Sequence, residues 1–419
     1  MLHSTLSPGN MKATWNVLLL LTIAFVERTT IAAADSTPQE PIDLQQIPLI
    51  DLGPWFTEIP IQLQTNSNIQ QERSFLALNK AQLEVVEKVY QACRQVGFFL
   101  IQNHGFDQSV LNDTWKASQE FFAMSTEEKI LHKTNNEVEY PYGYEQSESL
   151  AKGKQLDRAS DQRILLDDAV SSDSDNNNNH TDALLMMGKD LKETFSIGPN
   201  NPRSGMPPRR WVQSPNLPPT FPSAVGTYYR HMERLSLVLL EIFALALNQD
   251  RSYFEDKMDH HQSALRLAHY FPLQEPNGNW HVVRAGAHTD YGALTILAAQ
   301  DHGLEVMLHD EWIPVSLLKD TFIINLGDLM QRWTNDKWIS TMHRVAMPST
   351  EAMEQRYSLA FFVNINGDAV IEPLSSCIDS TEDITTRHKY PPITAGEHLM
   401  AKHLASMGEA ENSLVGDEL

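Results

Sequence analysis

ALRLAHYF (264–271), ALTILAA (293–299), GLEVML (303–308), TFIINL (321–326), HRVAM (343–347) and RYSLAFFVN (356–364) follow one another with turn residues between them. Short apolar runs punctuated in this way predict a sandwich or barrel of short strands. The residues that suggest chemistry fall inside this block. His288-Thr289-Asp290 precedes the second run, and His343 opens the fifth. Side chains alternate faces along a strand, so His288 and Asp290 are expected to project to one side, where a second strand can bring His343 against them. Two imidazoles and one carboxylate on one face of a metal leave the opposite positions open, the arrangement of non-haem Fe(II) oxygenases.

A bare His-x-Asp also arises by chance in a chain with 16 histidines, and a buried His or Asp is usually only a hydrogen-bonded polar group. Arg356-Tyr357-Ser358 adds weight, because its strand-like setting places Arg356 and Ser358 on one face. A permanently charged fork and a hydroxyl aimed into a barrel require an anion, and a carboxylate meets that need. Taken alone, Arg356 would read as a surface residue on a strand edge.

Upstream, apolar residues at helical spacing (Leu83, Val86, Val89, Tyr90) predict a helix over residues 80–96, stopped by Gly97. A strand over 98–101, a turn at Asn103-His104-Gly105 and a helix over 108–123 follow, then a helix start at Ser125-Thr126-Glu127-Glu128. Val225, Tyr229, Met232, Leu235, Leu239, Ile242 and Ala246 form the stripe of a long scaffold helix over 223–248. Thr394 with Glu397 announces a last helix from Ala395. Residues 60–74 are polar and read as a loop. The acidic, low-complexity run 167–182 cannot contribute to a core and reads as a disordered surface insertion.

Composition is that of an ordinary globular protein, with 42% hydrophobic and 21% charged residues. A formal charge of -22 repels polyanions and argues against nucleic acid as a partner. Two cysteines, Cys93 and Cys377, supply neither a disulfide framework nor a cysteine metal site.

The motifs GAHTDYGALTIL (286–297), NLGDLMQRWTNDKWISTMHRV (325–345) and RYSLAFF (356–362), with GFFLIQNHG (97–105), FFAMSTEEK (121–129) and DLKETF (190–195) before them, resemble those of the plant, fungal and bacterial oxygenases that include isopenicillin N synthase, the flavonoid dioxygenases and the gibberellin oxidases. The resemblance spans Pro48 to about Lys402. It implies a mainly β fold, a double-stranded β-helix (jelly roll) with flanking helices. It implies His288, Asp290 and His343 as ligands of Fe(II), Arg356 and Ser358 on the distal carboxylate of 2-oxoglutarate, and Tyr270 as a hydrogen-bonding partner of the same co-substrate. No catalytic residue is expected beyond the metal centre. The implied reaction consumes dioxygen, hydroxylates or desaturates a small organic metabolite, and releases succinate and CO2, with ascorbate a candidate reductant. Ala268, where relatives often have Asn, and Phe271, where they have Pro, mark a different pocket wall. An oxidase of the same fold that does not use 2-oxoglutarate and a non-catalytic small-acid-binding protein are the rival readings.

The expected organisation is a leader (1–34), an N-terminal dioxygenase region (47–200) carrying the insertion, the jelly-roll domain (223–402) and a tail (403–419). In the leader, the apolar run 15–26 followed by Ala32, Ala33 and Ala34 resembles a secretory signal peptide and is too short to span a bilayer. The terminal Gly416-Asp417-Glu418-Leu419 ends like an endoplasmic reticulum retention signal. Together with the sequons at Asn112 and Asn179 they predict a lumenal glycoprotein, plastid or cytosol being the alternatives. His260, His261, His302 and His309 are read as solvated, Trp333 and Trp338 as barrel packing, and Tyr142 and Tyr144 as residues of the substrate mouth or the core.

Overall fold

The computed structural model describes residues 47–56, 78–133, 142–146, 192–200, 211, 216–274, 284–346, 352–378 and 388–407. The leader, the polar stretch 60–74, the insertion 167–182 with Asn179, and the final residues of the tail lie outside the described residues.

The large sheet contains β1 (Leu49–Asp51), β2 (Phe98–Gln102), β3 (Gly143–Glu145), β4 (Lys192–Ile197), β5 (Ala264–Tyr270), β8 (Leu294–Ala299), β11 (Phe322–Leu326) and β14 (Arg356–Val363). Their order is β1-β2-β11-β8-β14-β5-β4-β3, parallel only between β1 and β2. The small antiparallel sheet contains β7 (Ala285–His288), β9 (Leu304–Leu308), β10 (Glu311–Pro314) and β12 (His343–Val345), in the order β10-β9-β12-β7. Two short ladders, β6 (Leu273–Gln274) with β13 (Ala352–Met353) and β15 (Val370–Ile371) with β16 (Ile393–Thr394), complete the described strands. From β7 to β14 the chain passes repeatedly between the two main sheets, β9 and β10 forming a hairpin within the small one and β13 lying outside both, the winding of a jelly roll.

Both faces of the large sheet are covered, which explains why its strands read as continuous apolar runs rather than alternating ones. Leu294, Ile296, Phe322, Ile324, Leu359 and Phe361 point to the helices. Phe98, Leu100 and Ile323 point the other way and pack on Leu304, Val306 and Leu308 of the small sheet. The strands β1 to β4, all from the N-terminal region, extend the same sheet, so the two regions of the chain share one core.

The helices on the outer face start and stop where local chemistry dictates. Helix α1 (Lys80–Gln95) opens with a capping box between Asn79 and Gln82 and is followed by Gly97 at φ +70°. Its buried face is Val85, Val86, Val89, Ala92 and Cys93; Leu83 and Tyr90 are only half-buried, so the apolar stripe is rotated slightly from the expected one. Helix α2 (Gln108–Phe122) is capped by Asp107, and α3 (Thr126–Ile130) by the Ser125–Glu128 box. The central α4 (Phe221–Ala246) buries the whole predicted stripe. A short α5 (Asp328–Trp333) follows β11, and α6 (Ala395–Met407) begins at the Thr394–Glu397 pair. Trp333 and Trp338 are fully buried in this core. Both cysteines are unpaired. Among the described residues no helix is long and apolar enough to cross a membrane.

Candidate metal centre

His343 lies directly opposite His288 in the β12–β7 pair. Asp290 comes two residues after the end of β7, so the expectation that it shares a strand with His288 does not hold: the chain has already left the sheet. Its carboxylate reaches the histidines because the large sheet captures it from the other side. Thr295 Oγ1 and Asn325 Nδ2, register partners on β8 and β11, donate to Asp290 Oδ2 at 2.6 and 2.7 Å. That leaves Oδ1 facing the imidazoles, 3.8 Å from Nε2 of His288 and 3.8 Å from Nε2 of His343. One ligand atom from each of the three residues lies within 4.8 Å of the others, a cluster one cation can bridge.

The protonation state of the cluster suits a metal. His288 Nδ1 lies 2.7 Å from the Gly286 carbonyl and His343 Nδ1 3.1 Å from that of Thr341. A carbonyl can only accept, so both Nδ1 atoms donate and both Nε2 lone pairs are left for a cation. Burial pushes the Asp290 carboxyl up, but His343, His288 and the two donated hydrogen bonds outweigh it and hold the group below the usual carboxylate range. Asp290 is therefore held as a carboxylate. The Phe98 ring lies edge-on to His343, 5.3 Å between centroids, and walls one side.

Close backbone packing fixes the loop that carries Asp290. Asp328 N donates to Asp290 O at 2.7 Å, and a Cβ on Gly327 would stand 2.2 Å from the carbonyl oxygen of Gly292. Helix α6 braces the same loop. Lys402 Nζ is 2.8 Å from Asp328 Oδ2, Thr289 Oγ1 donates to that oxygen at 3.1 Å, and His398 Nε2 donates to the Tyr291 carbonyl at 3.2 Å.

The second group of predicted residues lies along the inner face of β5 and β14. Arg356 pairs with Tyr270 and Ser358 with Ala268. Arg356 is 1% exposed, its guanidinium sits 4.8 Å from the centre of the Tyr270 ring, and its Nε donates to the Asp301 carbonyl at 3.1 Å. Its Nη1 is buried with no partner among the described residues. A buried charged fork with an idle prong is the mark of an anion site. Val345, two residues beyond His343, packs on Ala268, Tyr270 and Ala285. Val345 thus links the strand that carries His343 to the strands that carry the anion site.

Other residues resolve differently. His261 meets Glu233 at 3.1 Å and stacks on Tyr229, so the expectation of a solvated histidine fails there, whereas His260 is exposed as expected, 2.9 Å from the exposed Asp259. His302 and His309 are exposed. Tyr144 is structural: its hydroxyl donates to Glu193 Oε2 at 2.6 Å on the helix side of the large sheet. Sequence reasoning missed Thr295 and Asn325. The available signal was a polar residue inside an otherwise apolar strand, which burial obliges to find a partner.

Comparison with known proteins agrees with this geometry. Residues 261–365 match the 2OG-Fe(II) oxygenase superfamily profile, and residues 47–220 match that of the non-haem dioxygenase in morphine synthesis N-terminal region. A clavatol oxidase of Penicillium crustosum is 30% identical over 341 residues, covering 77% of this chain and 90% of its own. A homoarginine-6-hydroxylase of Oryza sativa subsp. japonica is 28% identical, covering 87% and 98%. The fold resembles that of a full-length Neurospora crassa protein crystallised with alpha-KG, at a TM-score of 0.65, 24% identity and coverage of 86% and 96%. The chain belongs to the 2OG-Fe(II) oxygenase superfamily and is an iron- and 2-oxoglutarate-dependent oxidoreductase.

Proposed function

We propose that His288, Asp290 and His343 hold the ferrous ion, that Arg356 and Ser358 take the distal carboxylate of 2-oxoglutarate, and that Tyr270 hydrogen-bonds the same molecule while a small organic metabolite is hydroxylated. The observation that carries this reading is the pairing of a three-ligand cluster at the small sheet with a buried, half-satisfied guanidinium on the large one. When bound, iron and 2-oxoglutarate supply the oxidising power, with decarboxylation to succinate. The chain's own residues position them. Thr295 and Asn325 orient Asp290, the Gly286 and Thr341 carbonyls set the histidine tautomers, and Phe98, Val345 and Tyr270 exclude water.

The test separates metal from co-substrate. His343→Ala should lose iron binding and turnover together. Arg356→Lys should keep iron but require far more 2-oxoglutarate, because an ammonium cannot reproduce a planar two-pronged contact. Full iron-dependent activity in His343→Ala would refute the ligand assignment. An unchanged 2-oxoglutarate requirement in Arg356→Lys would favour an oxidase that does not use the co-substrate.

The chain's two ends support a lumenal location, with glycosylation at Asn179. At the other sequon, Thr114 is buried in α2 with its hydroxyl donating to the Val110 carbonyl at 2.7 Å, a poor acceptor geometry for an oligosaccharide. Expression of the tagged full chain should give a glycosidase-sensitive mass shift abolished by Asn179→Gln, and secretion should rise on deleting residues 417–419. A cytosolic, unglycosylated product would refute this location.

A further inference from the structure

Asp290 stands beyond the end of β7, so its aim depends on what grips the loop that carries it. Asp328, the first residue of α5, grips that loop twice. Its amide donates to the Asp290 carbonyl at 2.7 Å, and its Oδ2 accepts from Oγ1 of Thr289, the residue between His288 and Asp290, at 3.1 Å. The cation that holds Asp328 in turn comes from α6: Lys402 Nζ lies 2.8 Å from the same Oδ2. His398, one turn earlier on the same face of α6, donates to the carbonyl of Tyr291, the residue after Asp290, at 3.2 Å. One face of one helix thus fastens the chain on both sides of Asp290.

Helix α6 is otherwise lightly held. Between residues 395 and 406 only Ala395 and His398 are buried, and Met400 is 58% exposed. The Lys402 side chain is 43% exposed, and an ion pair so open to water adds little to the stability of a fold. The pair is a poor fastener of the core, whereas any shift of Asp328 reaches Asp290 directly. Residues that aim ligands from outside commonly govern metal affinity. A lightly docked helix opens more readily than the core, so its docking equilibrium lies within reach of a bound ion.

We infer that Lys402 is a positioning residue of the metal centre, acting through Asp328 and Thr289 on Asp290, and that docking of α6 and metal binding support each other. The inference rests on Asp290 as a ligand, proposed above. Coupling of this kind is reciprocal: the factor by which docked α6 raises metal affinity is the factor by which metal favours docking.

The test uses the full chain with Mn(II) and reads two quantities. In the wild type, saturating Mn(II) should slow amide hydrogen exchange across α6 about fivefold, near the lower end of ordinary coupling between sites. In Lys402→Gln, Mn(II) affinity measured by chelator competition should fall by about the same factor, and metal should no longer slow the exchange. Lys402→Arg, which keeps the charge, should keep both properties. A merely structural pair would speed exchange in Lys402→Gln and leave metal affinity alone. That result, or wild-type exchange indifferent to Mn(II), would overturn the inference. The exchange measurement on the wild type needs no variant, so it decides even where Lys402→Gln is poorly folded. His343→Ala is the control: metal binding equal to wild type there would refute the ligand reading, and the inference with it, whereas with that binding lost a failure belongs to the coupling alone.

Discussion

Replacing Thr295 by Val removes one of the two donors to Asp290 Oδ2 while keeping the shape of the side chain. The lost bond is 2.6 Å long, buried, and made to a carboxylate. A hydrogen bond to a charged group is worth about 1.5–3 kcal/mol. At about 1.4 kcal/mol per factor of ten, that amounts to roughly one to two powers of ten. Oδ2 does not face the histidines; Oδ1 does. The bond therefore acts by fixing the rotation of the carboxylate, and its loss should appear as metal affinity about 10- to 100-fold weaker. The pH dependence has a definite sign. The Asp290 carboxyl is held low, so its ionised form is secure above the ordinary carboxylate range and is lost as pH falls through the folded value. Removing Thr295 Oγ1 raises that value, and the variant should release metal at a higher pH than the wild type. Competition between the protein and a chelator for Mn(II), in steps from pH 7 downward, measures both effects, with circular dichroism reporting the fold. Affinity equal to wild type across that series would show that Asp290 is aimed by something else.

Three further outcomes are expected. Gly327→Ala pushes a Cβ into the Gly292 carbonyl, and because backbone must move, urea denaturation should show a loss of about 1–3 kcal/mol together with weaker metal binding. Glu193→Gln breaks a buried cluster in which the carboxylate meets Lys129 Nζ at 2.7 Å, Tyr144 Oη at 2.6 Å and His269 Nδ1 at 2.8 Å; equilibrium unfolding should register a loss of about 3–5 kcal/mol. Burial pushes the Glu193 carboxyl up, but these partners hold it low, so the wild type loses this stability as pH drops below about 4.3 while the variant does not. His398, brought down to about 4 chiefly by burial, binds a proton more readily unfolded than folded. Stability should therefore fall as pH drops from about 6.5 toward that value, and His398→Gln should flatten the thermal midpoint over the same interval.

Much of this site was legible because its signals are local. His288-Thr289-Asp290 and Arg356-Tyr357-Ser358 each lie within three residues, and their placement needs only the two-residue period of a strand. Even there, Asp290 reaches its expected place by another route, since it stands off the strand and is aimed by two residues of the opposite sheet. Helix starts were equally readable where caps such as Ser125–Glu128 and Thr394–Glu397 are short-range hydrogen bonds.

By itself the sequence determined the strand and helix segments, the metal-ligand types and the presence of an inward arginine, all of which follow from side-chain chemistry and chain geometry over a few residues. Only the tertiary structure decided that Thr295 and Asn325 converge on one carboxylate oxygen, and that Tyr144 serves Glu193 rather than a substrate. Those are consequences of register between strands distant in sequence. Register is set by the pairing of whole sheets and by the bulge in β7, and a slip of one residue would turn every one of these side chains to the other face.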